Sequence, residues 1–62
     1  MRVDEAEQFA AVLMKQYGKG QTFDVALPRE DLHELVKVFE AKHNCKVVWY
    51  EGRDRIAVTC PE

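Results

Sequence analysis

Serine is missing from these 62 residues altogether. Its absence excludes the serine nucleophile of triad hydrolases. Three glycines and two prolines are spread singly, so no glycine-rich loop is available to cradle a phosphate. No pair of carboxylates stands out as held in a cleft, and a chain this short buries only about 60% of its unfolded surface, which leaves little room for a deep pocket. The chain therefore reads as a non-enzymatic protein with no cofactor. No apolar run approaches membrane-spanning length, and there is neither a basic leader followed by an apolar run nor a lipidation signal. The expected location is cytoplasmic, with no membrane partner. Nine Lys and Arg against eleven Asp and Glu give a formal charge of −2. That balance argues against holding duplex DNA by bulk electrostatics, although a local basic face is still allowed.

What is present is an ordinary folding composition, 47% hydrophobic and 32% charged with the two signs interleaved, so residues 1–62 should form one small domain. From Asp4 to Tyr17, the residues Ala6, Phe9, Ala10, Leu13, Met14 and Tyr17 recur at helical spacing, and Gly18 supplies the stop. "QTFDVAL" alternates Phe23, Val25 and Leu27 against Thr22, Asp24 and Ala26, which predicts a strand with one buried face, ended by Pro28. A second helix, Arg29 to His43, buries Leu32, Leu35, Val36 and Phe39 and places Glu30 and Asp31 in its first turn.

"CKVVWYEGRDRIAVTC" predicts a hairpin. Gly52-Arg53 fits a Gly-first two-residue loop of type II′, although the Glu51–Asp54 pair this creates is unfavourable and leaves a four-residue loop open. Either loop pairs Tyr50 with Arg55, Trp49 with Ile56, Val48 with Ala57, Val47 with Val58, Lys46 with Thr59 and Cys45 with Cys60. Cys45, Val47, Trp49, Ile56, Val58 and Cys60 then face the helices, while Lys46, Val48, Tyr50, Arg55, Ala57 and Thr59 face away from them. The fold class is a two-layer α+β sandwich in the order α-β-α-β-β, two helices on one face of a three-stranded mixed sheet, its strand–helix–strand unit crossing over right-handed.

Arg29, His33 and Lys37 stand four residues apart along one flank of the second helix, a stripe able to meet phosphates or simply a solvated helix surface. Tyr50 and Arg55, with Lys46 and Val48 beside them, form a small aromatic and basic platform on the uncovered sheet face. Stacking on bases with cations on phosphates holds single strands without a pocket. The same residues also read as an ordinary cross-strand surface pair. A third reading makes the chain a protein-interaction or inhibitor module, a small phage, plasmid or prokaryotic regulatory protein, with Lys46, Val48, Tyr50 and Ala57 covered by a protein partner or a second copy, since a small sheet gains from burying an apolar face. Cys45 and Cys60 read as free buried thiols, a disulfide being geometrically conceivable but disfavoured in a reducing cytosol. With His43 they match no zinc-knuckle spacing, so no metal is expected.

The order of elements and the "REDLHEL" stretch resemble the R-three-H domain, a family named for its Arg-x-x-x-His motif. Its members carry a short helix, a strand, the motif helix and a closing hairpin. "YEGRDRIAV" is similar to the family's closing segment, a Ser-x-Gly run followed by an arginine and a β-rich strand, with Tyr50 standing where the family has the small polar residue. The resemblance implies binding of single-stranded DNA or RNA, with Arg29 and His33 as the motif pair, Gly52 as the turn glycine and Arg55 as the arginine that opens the last strand.

Overall fold

The computed structural model describes residues 1–61 as a layer of two helices on a three-stranded sheet. Helix α1, Val3–Tyr17, starts where Glu5 accepts the Arg2 backbone N–H at 2.9 Å. That is one half of a capping box; a guanidinium cannot accept, so the reciprocal bond has no acceptor. The helix ends at Gly18, whose φ of 79° needs a residue without Cβ and whose N–H reaches the Met14 carbonyl at 2.9 Å. Helix α2, Arg29–Lys42, follows Pro28, whose carbonyl accepts the Leu32 N–H at 3.0 Å. At its far end Asn44 takes a left-handed φ of 59°, and the Cys45 N–H turns back to the Phe39 carbonyl at 3.0 Å. Glu7 of α1 and Lys42 of α2 pair at 2.8 Å across the two helices. Among the described residues no helix is long and apolar enough to cross a membrane.

Strands β1 (Thr22–Ala26), β2 (Lys46–Trp49) and β3 (Arg55–Thr59) are ordered β1-β3-β2. Both pairings are antiparallel, which corrects the expected mixed sheet. The last strand inserts between the other two, so β1 and β2 run in the same direction without ever sharing a ladder. The hairpin register is the one read from the sequence, Lys46 with Thr59 through Trp49 with Ile56. Its loop differs from the tight Gly-first form. Tyr50 N–H donates to the Arg55 carbonyl at 3.0 Å, and Glu51 to Asp54 form the connection, with Gly52 at φ 71° inside a turn closed by Arg53 N–H on the Tyr50 carbonyl at 3.4 Å. The longer loop keeps Glu51 and Asp54 out of the ladder, where a two-residue loop would make them a cross-strand pair.

The core joins Phe23 and Val25 of β1, Ile56 and Val58 of β3, Leu32, Leu35, Val38 and Phe39 of α2, and Ala6 and Ala10 of α1. Val38 takes the buried place expected for Val36, which packs at the margin. Phe39 has no exposed surface and meets Phe23 edge-on, with ring centres 5.8 Å apart, while Tyr17 stacks on Phe23 at 4.8 Å. Phe9, expected inside, is 36% exposed, and Tyr17 is 38% exposed. The first helix lies mainly against α2 through Ala6 and Ala10, which leaves the Phe9 side of the cylinder without a neighbour among the described residues.

Cys45 and Cys60 form a disulfide, their Cα atoms 4.1 Å apart, which corrects the expectation of free thiols. Their juxtaposition was legible from the register; the expectation of reduced sulfurs came from an assumed reducing compartment. The bond ties the hairpin's open end, and Met14 of α1 packs its sulfur 3.2 Å from that of Cys60 and 3.9 Å from that of Cys45. Oxidised sulfurs carry no hydrogen, so these are packing contacts.

Two stability measurements follow from the core. Phe39→Ala should cost about 3–5 kcal/mol in denaturant titration, enough to unfold a domain of this size. Reduction of the disulfide, which spans 15 residues, should lower stability by about 3 kcal/mol, and the double variant Cys45→Ala/Cys60→Ala should show the same loss with or without reductant.

Candidate binding surfaces

Arg29 and His33 share a neighbour that no spacing rule could name. Trp49, the last residue of β2, points to the helix side of the sheet but lies on its outermost strand, so only the first half of α2 covers it. The Arg29 guanidinium carbon lies 5.5 Å from the centre of the indole, and the His33 ring centre 5.0 Å from it, tilted by 44°. Arg29 also donates from Nε to Asp54 Oδ1 at 3.0 Å, linking the start of α2 to the hairpin loop. Half of each of these two side chains faces water, so the ion pair is screened and contributes little by itself. Arg29 and His33 thus cap an edge tryptophan.

Lys37, the third member of the expected stripe, does not join them. It pairs with Glu34 at 3.6 Å and borders a shallow groove between the helices with Val3, Glu7, Val38 and Lys42. One further helical turn has carried it around the cylinder, away from Trp49.

Tyr50 and Arg55 occupy a third place. Strand alternation turns Tyr50 to the face opposite Trp49, where the Arg55 guanidinium carbon lies 5.8 Å from the phenol ring centre. The phenol crosses the central strand and donates to Asp24 Oδ2 at 2.9 Å. Asp24 pairs with Ala57 in the ladder, and that small side chain leaves room for the crossing. Lys46, Val48 and Ala57 share this face, which is lined at one end by Thr22 and Thr59, their hydroxyls 2.8 Å apart. Among the described residues no helix covers it, and Val48 is 55% exposed. The five residues expected to bind nucleic acid are therefore distributed over three surfaces: Arg29 and His33 on the helix side, Lys37 at the interhelical groove, and Tyr50 and Arg55 on the open face.

The sequence reading missed Asp54 and Asp24, the acids that engage Arg29 and Tyr50, and missed the role of Trp49. The register had already placed Trp49 inward; what it lacked was the crossing of α2 over the sheet edge. Cys45 and Cys60 use their sulfurs on each other, so they do not complete a ligand set with His43. No protein-family model matches this chain, and searches of curated proteins and of solved structures return no match.

The hydrogen bond to Asp24 raises the ionisation of Tyr50 above its ordinary value of 10.0, aided by desolvation and by the Asp24 charge and opposed by Arg55 and Arg53. A raised folded value stabilises the fold fully below pH 10, with the contribution lost as pH climbs through the folded value. In a Tyr17→Phe background, ultraviolet titration should show one phenol ionising late, and Asp24→Ala should bring it back toward its ordinary range. An unchanged titration in that variant would show that the contact does not hold the phenol.

Proposed function

We propose that the chain is a small non-enzymatic binding module whose open sheet face contacts a protein partner. The supporting observation is Val48, 55% exposed, beside Tyr50, 38% exposed, on a face that no element among the described residues covers. Lys46 and Arg55 against Asp24 leave this face one positive charge in excess, so a complementary partner presents an apolar patch with an acidic rim. A polyanion suits the face less well, because the Asp24 carboxylate lies within it and the chain as a whole carries −2.

A second reading, binding of single-stranded nucleic acid in the manner of the R-three-H family, draws support from a different surface. Arg29 and His33 against Trp49 combine cation and aromatic at an exposed edge, and the order of helix, strand, motif helix and hairpin is the one that resemblance implies. One aromatic offers about 1–3 kcal/mol of stacking per base, so binding there would be weak and salt-sensitive. The cytoplasmic location stays part of the proposal on one condition. Structural disulfides belong mostly to oxidising compartments, so the burial of Cys45 and Cys60, 6% and 2% exposed, has to protect their bond from cytosolic reductants.

Two arms of one experiment separate the readings. Affinity capture from source cells with the full chain should retain a protein that Tyr50→Glu and Val48→Lys each lose and Arg29→Ala keeps, all three variants remaining folded by circular dichroism. NMR titration with short DNA and RNA strands should leave the open face unmoved. Shifts confined to Arg29, His33 and Trp49 that fade with salt would transfer the proposal to the second reading, and shifts at Tyr50 and Arg55 would overturn the first outright.

A further inference from the structure

Helix α1 carries two apolar stripes, and the fold uses one of them. Ala6 and Ala10 are fully buried, and Met14 packs on the disulfide. The second stripe, Phe9 and Val12, lies further around the cylinder, with Val12 61% exposed and Phe9 36% exposed, and Leu13, partly packed on the core, borders it. Together with Glu5, Gln8, Leu13 and Gln16 the stripe lines an open groove of about 460 Å³ built from this one helix. Positions 5, 8, 9, 12, 13 and 16 follow one another at steps that keep to one side of a helix, forming a continuous seam of the kind that packs against another helix.

The order of charges along α1 indicates what covers that seam. Asp4, Glu5 and Glu7 precede the apolar residues, Lys15 stands in the last turn, and Lys19 lies just beyond it. Glu7 is occupied by Lys42. Asp4 has only a long 3.8 Å approach to Arg2 across exposed side chains, and Lys15 makes no ion pair among the described residues. The helix is thus acidic at its start and basic at its end, along the edge of an uncovered apolar seam.

We infer that this seam is closed by α1 of a second copy, running antiparallel about a twofold axis. In that arrangement Phe9 of each copy meets Val12 of the other, Leu13 meets Gln8, and Glu5 comes beside Gln16. On the flank that bears both, Asp4 of each copy lies between Lys15 and Lys19 of the other. The helix dipoles also oppose one another, whereas a parallel pair would set acid against acid. A second copy supplies the apolar seam and the reversed charge order at once, and the twofold closes the assembly at two. A single-helix contact is at the small end of interface sizes, so the dimer forms at high protein concentration. This surface is distinct from the open sheet face.

Sedimentation equilibrium of the full chain from about 10 µM to about 1 mM tests the inference. The wild type should rise from 7.2 kDa toward twice that mass. Val12→Lys and the milder Val12→Gln, both at an exposed position and checked for helicity by circular dichroism, should stay at the monomer mass. Lys15→Glu should weaken association by roughly tenfold, and Asp4→Lys/Lys15→Glu should restore most of the loss. Tyr50→Glu should leave the dimer intact, which separates this inference from the fate of the sheet-face proposal. A monomer at the highest concentration, a dimer that survives both Val12 variants, a dimer lost with Tyr50→Glu, or a double reversal that restores nothing would each overturn it.

Discussion

Strand β3 lies between β1 and β2, and almost every other feature depends on the ladders it forms with them. Ile56 and Val58 have no exposed surface because each is flanked on both sides, by Val25 and Trp49 in one row and by Phe23 and Val47 in the next. A slip of one residue on either ladder would turn those side chains to water and bring Arg55, Ala57 and Thr59 beneath the helices. The same register brings Cys45 and Cys60 together at the open end and sends Tyr50 across to Asp24. Packing, the covalent clamp and the open face are consequences of one alignment.

The edge at Trp49 shows how a local polar motif can belong to the fold. An exposed ion pair contributes about 0–1 kcal/mol and a surface cation–π contact about 0.5–1 kcal/mol, against 3–5 kcal/mol for a buried phenylalanine such as Phe39. Arg29 and His33 therefore finish an exposed corner that the core does not rely upon. Residues in that position are energetically free to serve a ligand. Their geometry accounts for the motif spacing without requiring one.

The distribution of the expected binding residues has a simple origin. Successive strand residues point to opposite faces, so Trp49 and Tyr50 diverge although they are neighbours in sequence. Helical residues eight apart drift around the cylinder, so Lys37 leaves Arg29 and His33 behind. Linear spacing describes one element at a time, whereas a site draws on several. The acids at Asp24 and Asp54 lie 26 and 25 residues away from the groups they bind, and nothing local announces either one.

By itself the amino-acid sequence determined the five elements, the hairpin register and the inward set on its strands, because periodicity, turn residues and cross-strand pairing are local properties that act before any tertiary contact. Even the meeting of Cys45 with Cys60 was contained in that register. Tertiary structure decided the rest: the insertion of β3 between the other strands, the seat of α1 that leaves Phe9 and Val12 bare, and the cover that α2 gives to Trp49. Those choices rest on how whole faces fit together across long stretches of chain. Two exposed apolar surfaces, one on the sheet and one on a helix, are the product of that fit.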